Sequence, residues 1–456
     1  MVTLKTPAPI HQVDASIPEL PKSSSGSPTT ASSMFDGKAE DFSTEEKGIS
    51  WDGYADDELP EKTQVKLVRN LRFQIFSLYR RLFGIVFVTN MAVFIAYCVR
   101  GANALQLGKI VVANIFVAVL MRQDYVINAF YTVACAAPRS WPLWIRRILG
   151  RVYSIGGIHS GSAVSGTVWL ILFSARATQE FIRKEKISIP TITFAYIVLA
   201  LLLGIIVFAY PKARTSRHDT FEVTHRLMGW TAVALVWCLV ICLINDYREP
   251  GQTLGSAVVQ APPFWLVLIL TCSIILPWLR LRKVPVRAEV LSDHCVRFYF
   301  DYVNTHPGHF TRMSLDPLFE WHSFATISEP GKPGYSAVVS RARRLDEQEI
   351  ADPPKEIWVR GIPCYGVRHR PIAPVVFAKK VPIQLLWTAP AVRKTFGDKL
   401  VDSLLEAAPN SVIYDTRVHG KPDMVKLTYR MVREFNAEAV VIISNQPLTQ
   451  KVVYGR

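Results

Sequence analysis

Apolar residues are concentrated in six runs between Arg81 and Leu279, and these runs dominate the hydropathy pattern. Each run is close to the ~20 residues that a helix needs to cross ~30 Å of hydrocarbon at ~1.5 Å per residue. Soluble cores rarely contain so many nearly uncharged runs in succession, so the pattern predicts about six transmembrane helices within residues 64–283. The runs are residues 82–99, 107–121 with a continuation over 125–137, 152–175, 192–210, 227–244 and 263–279.

The segments on either side of the apolar runs have different patterns. Residues 1–63 are rich in Ser, Thr, Pro, Asp and Glu, and such a segment buries too little surface to offset its ordering entropy. We therefore predict that it is disordered and available to a protein partner. Short β-rich stretches separated by Gly, Pro and Asp predict a small antiparallel barrel over residues 284–372. Strand–helix alternation predicts an α/β unit over residues 373–456.

Basic residues cluster at the ends of the apolar runs in a chain whose formal net charge is +15. Such clusters are typical of membrane topology and of contact with anionic lipid head groups, so membrane lipid is the expected partner and nucleic acid is not. With six spans, most basic loops share one side. We therefore predict a multi-pass integral membrane protein with both termini in the cytosol. One loop violates this pattern, because it carries Arg176, Arg183, Lys184 and Lys186.

The cysteines argue against a disulfide framework or a zinc site. There are seven, and none forms a CxxC pair. A thiol inside an apolar run is a small packing residue, and four of the seven are in that position: Cys98, Cys238, Cys242 and Cys272.

Two histidines, His159 and His225, lie within or at the edge of apolar runs. Ionisable groups at membrane depth are costly and usually functional. The two runs that carry them would point in the same direction, so both imidazoles would lie toward the cytosolic side. Two such histidines can hold a haem iron axially. The alternative is that each imidazole forms a hydrogen bond to a neighbouring helix, and spacing alone leaves both interpretations open.

Two motifs in the β-rich region could approach a flat ring or a phosphate. The segment 321–326 reads Trp-His-Ser-Phe-Ala-Thr, and the segment 361–366 reads Gly-Ile-Pro-Cys-Tyr-Gly. Small residues beside an aromatic or imidazole ring allow a flat ligand close to the backbone, and a Gly-containing loop offers main-chain N–H groups to a phosphate. An ordinary strand and an ordinary turn are equally compatible with these residues.

The order of the regions and the matches within them carry a resemblance to a known family. The histidines of the third and fifth runs, followed by the segments 290–302, 316–322, 358–363 and 443–447, resemble the ferric reductase and NADPH oxidase superfamily, and the soluble part is most similar to its TmpA-type fungal membrane flavoproteins. The resemblance implies a membrane all-α six-helix bundle, a cytosolic FAD-binding β-barrel and an incomplete α/β nucleotide-binding domain.

The same resemblance implies a function and its site residues. Electrons would pass from NAD(P)H through FAD, and then to one haem b held by His159 and His225, with a small molecule as donor or acceptor. The FAD would contact residues of both β-region motifs: His322, Phe324, Thr326, Gly361 and Gly366.

Three departures from the family pattern limit that function. The positions of a second histidine pair are Leu172 and Cys238, so at most one haem can be held, and Ser323 replaces a proline of the flavin motif. No glycine occurs between Gly366 and Gly397, where a pyrophosphate-binding turn is needed. We therefore expect weak or absent NADPH binding. The alternative function is a catalytically degenerate membrane protein that uses the same scaffold for signalling or regulation.

Overall fold

The computed structural model describes residues 51–62, 64–138, 140–306, 308–328, 332–340, 352–365, 383–437 and 440–454. The chain divides into two compact units, Met1–Glu46 and Lys47–Arg456, and all described residues belong to the second unit.

The first half of the described chain is helical. Short helical turns accompany the long helices, at Tyr54–Asp56, Lys66–Asn70, Leu71–Ile75, Leu143–Leu149, Val152–Ile155, Pro211–Ser216, Leu254–Gln260 and Trp278–Arg280. We number the longer helices α1 (Leu78–Arg100), α2 (Ala104–Leu120), α3 (Asp124–Cys135), α4 (Gly156–Ile182), α5 (Ile189–Phe208), α6 (His218–Tyr247) and α7 (Pro262–Ile275).

Five of the helical segments in the described chain are long and apolar enough to cross a membrane, by length and composition alone. The number becomes six if α2 and α3 are taken as one span, although these two helices are bent by 68° at their break. The sequence pattern treats them as one continued run. The break falls at the polar residues Arg122 and Gln123, and the bend turns the carboxylate of Asp124 toward the β-rich region.

The helices pack around a common apolar core. Its buried side chains include Leu107 of α2, Phe173 of α4 and Val236 of α6. A polar contact crosses this core, because the side-chain oxygen of Asn90 accepts hydrogen bonds from the Asn114 amide at 3.0 Å and the Trp169 indole at 2.9 Å. Buried polar groups are costly unless paired, so this contact fixes the relative register of α1, α2 and α4.

Helices α1 and α4 approach each other at a glycine. A Cβ atom placed on Gly157 would lie 2.2 Å from the carbonyl oxygen of Tyr79. Only a residue without a side chain allows backbones this close. The second glycine of the same face, Gly161, would bring a Cβ atom within 3.0 Å of the carbonyl oxygen of Phe83.

Within the described residues, eight strands follow the helices and form two antiparallel sheets. One sheet has the strand order β1-β7-β4-β5 with β8 paired to β4, and the other has the order β2-β3-β6. A bridge between Ile327 and Ser336 connects them. The strands are β1 (Arg282–Pro285), β2 (Arg287–Ser292), β3 (Cys295–Phe300), β4 (His309–Ser314), β5 (His322–Ala325), β6 (Tyr335–Ser340), β7 (Glu356–Val359) and β8 (Cys364–Tyr365).

The described C-terminal residues form a small α/β unit. Its two strands are parallel and are paired along their whole length. The sequence pattern expects a third strand near residue 440, but residues 440–444 form none. The elements are β9 (Leu386–Ala389), α8 (Val392–Phe396), α9 (Asp398–Ala407), β10 (Val412–Asp415), α10 (Met424–Glu434) and α11 (Gln446–Tyr454).

Part of the segment expected to be disordered is folded onto this α/β unit. Residues 51–57 contain one turn of helix, Tyr54–Asp56, and make hydrogen bonds and ring contacts with β10 and α10. Composition gives no sign of these contacts, because their partners lie more than 350 residues away in the sequence.

Candidate functional site at the junction of helices and sheets

The structure brings His159 and His225 together. Their ring centroids are 6.3 Å apart, with the ring planes at 66°. His159 Nδ1 lies 2.6 Å from the carbonyl oxygen of Ala118 on α2, so this imidazole bonds to a neighbouring helix. His225 also packs against Phe221 at 5.2 Å. The described residues contain no group of three or more His, Cys, Asp or Glu side chains that could hold a metal ion.

The β-region residues that the sequence singled out lie in different surroundings. Thr326 is buried, and its hydroxyl donates to the carbonyl oxygen of His309, so it supports the sheet. Phe324 packs against the core of the sheets. His322 is half-buried, with Nε2 3.4 Å from a carboxylate oxygen of Glu320.

Gly361 lies where the sheet meets the helices. Its φ of +71° is in the left-handed region, and its amide donates to the carbonyl oxygen of Pro277. A Cβ atom there would lie 3.2 Å from Oδ2 of Asp124. The strand register brings His322 to the same edge, because Met313 of β4 pairs with His322 on one side and Val359 on the other. Gly366 lies outside the described residues.

An ion pair joins the helices to the sheet at this edge. Both terminal nitrogens of Arg312 on β4 donate to the Asp124 carboxylate, at 2.5 and 2.8 Å. The side chains are 22% and 6% exposed. Burial alone would lower the pKa of Arg312, but the hydrogen bonds and charge of Asp124 outweigh it and raise that pKa. The helix-to-sheet connection therefore depends on a bidentate ion pair.

Cys364 is buried beside this pair and is chemically quiet. Burial first, and the nearby Asp124 charge second, raise the pKa of its thiol to about 12. Because the thiolate is the reactive form, Cys364 is not a nucleophile at neutral pH.

Arg360 occupies a different environment a few residues away. Its guanidinium carbon lies 4.4 Å from the ring centroids of both Trp278 and Trp321, in the corner between two indoles whose planes are 88° apart. Burial, followed by the charges of Arg312 and Arg226, lowers the pKa of Arg360 to about 10. Among the described residues no carboxylate forms a salt bridge to it, and its Nε is buried without a hydrogen-bond partner.

Arg226 completes the basic side of the junction. Its Nη2 donates to the carbonyl oxygens of Leu318 and Phe319, and its Nη1 lies 3.5 Å from a carboxylate oxygen of Glu222. Three arginines, Arg226, Arg312 and Arg360, therefore lie at this edge. Within the described residues, Arg360 is the one of the three that forms no salt bridge. Such a cation is suited to receive a phosphate or carboxylate group.

The sequence pattern did not identify the residues that form this junction. Arg360 and Trp321 lie inside the segments 358–363 and 321–326, but neither segment predicts that they meet Trp278. The available signal was Asp124, a carboxylate between two apolar runs. A buried charge of this kind requires a partner, although nothing in the sequence identifies it as Arg312.

The turn after β9 does not form a phosphate cradle. Ala391 has a φ of 45°, and its amide donates to Oδ1 of Asp415 at 2.9 Å. Asp415 also accepts from the amide of Arg417 at 2.8 Å. A pyrophosphate site needs free amides and a Gly-rich turn at a helix start. Here the amide is occupied, and Pro390 and Ala391 stand in place of glycines.

Comparison with known proteins identifies similar sequences. Residues 366–456 match a family model described as the C-terminal domain of adenylate-forming reductase 03009. Adenylate-forming reductase 03009 of Coprinopsis cinerea is 57% identical over 429 residues, which are 90% of this chain and 42% of that protein. Adenylate-forming reductase 06235 of the same fungus is 56% identical over 430 residues, again 90% of the chain and 42% of the relative. The chain thus spans about two fifths of the length of these relatives.

These matches overturn the resemblance drawn from the motifs. The matched proteins are named as adenylate-forming reductases, so the assignment to TmpA-type flavoproteins of the ferric reductase and NADPH oxidase superfamily is wrong. The membrane flavoprotein function that followed from it is also wrong, as are FAD and haem b as cofactors. Physically, the motifs misled because a His-x-Phe strand and a Gly-containing turn also arise in ordinary sheets, as Thr326 and Phe324 illustrate.

The same comparison contradicts the predicted localisation. A multi-pass integral membrane protein with both termini in the cytosol was inferred from apolar runs and loop charge, and the names of the relatives contradict it. The apolar runs themselves are real helices, but length and composition do not establish a location.

Proposed function

We propose that this chain works as a region of an adenylate-forming reductase, an oxidoreductase that joins a carboxylic acid to AMP and then reduces the activated acyl group. The observation that supports this proposal is the 57% identity with adenylate-forming reductase 03009 across 90% of the chain. Because the chain corresponds to 42% of that relative, the complete activity is proposed for the protein that contains this sequence.

The chemistry of such an enzyme is rich in anions. Adenylate formation joins the carboxylate to the α-phosphate of ATP and releases pyrophosphate. Reduction then adds a hydride from a donor such as NADPH to the acyl carbon and expels the activating group, which gives an aldehyde and the oxidised nucleotide. Carboxylate, phosphate and pyrophosphate groups must each be bound by cations or backbone amides.

The described α/β unit does not fit the nucleotide that would supply the hydride. Its β9 turn offers an occupied amide at Ala391 and no glycine. We therefore assign no step of the reduction to this turn, and the junction is the better place in the described chain for an anionic group to bind.

Arg360 is the group best placed to receive an anion. Its guanidinium lies in the corner between two indoles, which removes water and strengthens any charged hydrogen bond that it makes. Burial, followed by the charges of Arg312 and Arg226, lowers its pKa to about 10, so an incoming phosphate or carboxylate would stabilise the cation. Arg312 already forms a salt bridge with Asp124, so it is not available to bind a further anion.

The proposal can be tested on the complete protein that carries this sequence. We expect NADPH oxidation that requires both ATP and a carboxylic acid, together with acid-dependent exchange of pyrophosphate into ATP. NADPH oxidation that continues without ATP would contradict the proposal, and so would the absence of pyrophosphate exchange across a broad panel of acids.

The junction is tested separately by binding. Arg360→Gln should weaken AMP binding about 10-fold, the effect of losing one charge-assisted hydrogen bond. The matched control is Arg287→Gln, which removes a guanidinium that also lies over a ring, 4.0 Å from the centroid of Tyr299, but away from the junction. Equal AMP affinity in both variants would remove Arg360 from the site and leave the enzymatic proposal standing.

A further inference from the structure

Residues 51–57, which we call the strap, lie across the C-terminal α/β unit. The strap contains Gly53, whose φ of +73° begins a single helical turn, and no residue of that turn is buried. A turn of this length is not stable by itself in water. The surface against which it lies must therefore hold its conformation.

The first half of the strap is held by aromatic contacts. The ring of Trp51 lies 4.9 Å from that of Tyr414 on β10 and 4.7 Å from that of His419 in the following loop. The hydroxyl of Tyr54 accepts a hydrogen bond from the amide of Asp423 at 3.2 Å. Edge and tilted ring contacts of this kind add to the stabilisation from buried area.

The second half is held by one arginine of α10. Nε and Nη2 of Arg430 donate to the two carboxylate oxygens of Asp57, both at 2.7 Å. The same guanidinium donates to the carbonyl oxygens of Asp52 and Gly53. Arg430 therefore contacts both ends of the strap.

The charges of the two surfaces are complementary. The strap and the residue after it are acidic, with Asp52, Asp56, Asp57 and Glu58, whereas the facing helix carries Lys426, Arg430 and Arg433. Lys426 also donates to the carbonyl oxygen of Ala55. Because the contact is charged and close to solvent, salt should weaken it without disturbing the apolar core of the α/β unit.

The strap lies next to the carboxyl end of strand β10. Strands β9 and β10 are parallel, and ligand crevices of parallel α/β sheets lie outside the carboxyl ends of the strands. Trp51 covers Tyr414 and His419 next to the carboxyl end of β10. We propose that the strap is a releasable intramolecular clasp, which closes this end of the α/β unit and opens when the contact between Arg430 and Asp57 is lost.

Hydrogen exchange on the full chain tests the clasp. Arg430→Gln and Asp57→Asn should each raise the exchange rate of strap amides at least about tenfold, while amides of β9 and β10 remain protected. Lys451→Gln, on the neighbouring helix α11, is the matched control, because it removes an exposed positive charge that does not face the strap, and it should leave strap exchange unchanged. In the unaltered chain, raising the salt concentration from about 0.1 M to about 1 M should also increase strap exchange.

Two results would overturn the clasp. Unchanged strap exchange in Arg430→Gln would show that the contact does not hold the strap. Loss of protection in β9 and β10 together with the strap would show an integral structural element rather than a releasable one. Strap protection that depends on chain concentration would assign the contact to a second copy, which also contradicts an intramolecular clasp.

Discussion

Two Arg–Asp pairs connect distant parts of this chain, and they differ in what surrounds them. Asp124 and Arg312 join the helices to the sheet, with side chains 6% and 22% exposed. Asp57 and Arg430 join the strap to the α/β unit, with side chains 18% and 20% exposed. Both pairs are bidentate, so hydrogen-bond geometry alone does not distinguish them.

The difference lies in where each carboxylate goes when the pair is broken. Asp124 is fixed at the start of α3, beside the buried Cys364 and the backbone of Gly361. It would remain a desolvated charge without a partner. Asp57 belongs to the strap, whose helical turn has no buried residue, so its carboxylate would be hydrated once the pair is broken. The ion pair of Asp124 and Arg312 is therefore a permanent connection, and that of Asp57 and Arg430 is a reversible one, although both are Arg–Asp pairs.

The largest effect is expected from Arg312→Ala. Removing the guanidinium leaves the Asp124 carboxylate buried without its partner, which should lower the free energy of unfolding by about 3–5 kcal/mol. Urea denaturation followed by circular dichroism measures this. Arg248→Ala, at an exposed position after α6, should change stability by less than about 0.5 kcal/mol. Similar losses in the two variants would show that the junction pair is not a structural fastening.

A smaller loss is expected from Arg312→Lys. The charge is retained, but one ammonium cannot reproduce the two-point geometry of the guanidinium. The loss should be about 1.5–3 kcal/mol, in the range of one hydrogen bond to a charged group, in the same denaturation experiment. Arg282→Lys, at the exposed start of β1, provides the matched control. Stability unchanged from the parent chain would argue that charge alone connects the helices to the sheet.

The junction pair should also control the reactivity of its neighbouring thiol. With the pKa of Cys364 at about 12 and the side chain buried, alkylation by iodoacetamide at neutral pH should be slower than at the exposed Cys98. In Arg312→Ala the rate at Cys364 should rise severalfold as the joint loosens. Mass spectrometry of the alkylated peptides measures both sites, and equal rates in the parent chain would contradict a closed junction.

The smallest effect is expected from acid acting on the strap. The side-chain hydrogen bonds from Arg430 hold the pKa of Asp57 below its ordinary value of 3.8. The ionised Asp57 carboxylate therefore favours the closed strap fully above that value. This preference is lost as the pH falls through the lower pKa that Asp57 has in the closed strap. Trypsin is inactive in this range, so pepsin cleavage within residues 51–57 is the suitable readout. Asp57→Asn should remove the pH dependence of pepsin cleavage. A parent chain cleaved equally at every pH in this range would contradict the predicted opening of the strap in acid.

Local features of the fold could be predicted from the sequence, whereas its long-range contacts could not. Apolar runs place the helices, and strand β6 (Tyr335–Ser340) falls within the region of short β-rich stretches at residues 284–372. The pairing of Asp124 with Arg312 spans 188 residues and that of Asp57 with Arg430 spans 373. No local pattern fixes such a pairing, because each depends on the final packing of elements that are unrelated in sequence.

The candidate site illustrates the same limit. The sequence pointed to His159 and His225, and the structure brings their rings to within 6.3 Å. It also pointed to the segments 321–326 and 358–363, which contain Trp321 and Arg360. What it could not give is the corner formed by Trp278, since that residue reaches the sheet only through the packing of the last helical turn.

One measurement separates the two pairs most directly: hydrogen exchange of Arg312→Gln and Arg430→Gln in the full chain under identical conditions. We expect Arg430→Gln to increase exchange only in residues 51–57. We expect Arg312→Gln to increase it in α3, β4 and β7, on both sides of the helix-to-sheet joint. Exchange that rises over the same residues in both variants, or that spreads from Arg430→Gln into β9 and β10, would contradict a permanent junction and a releasable strap.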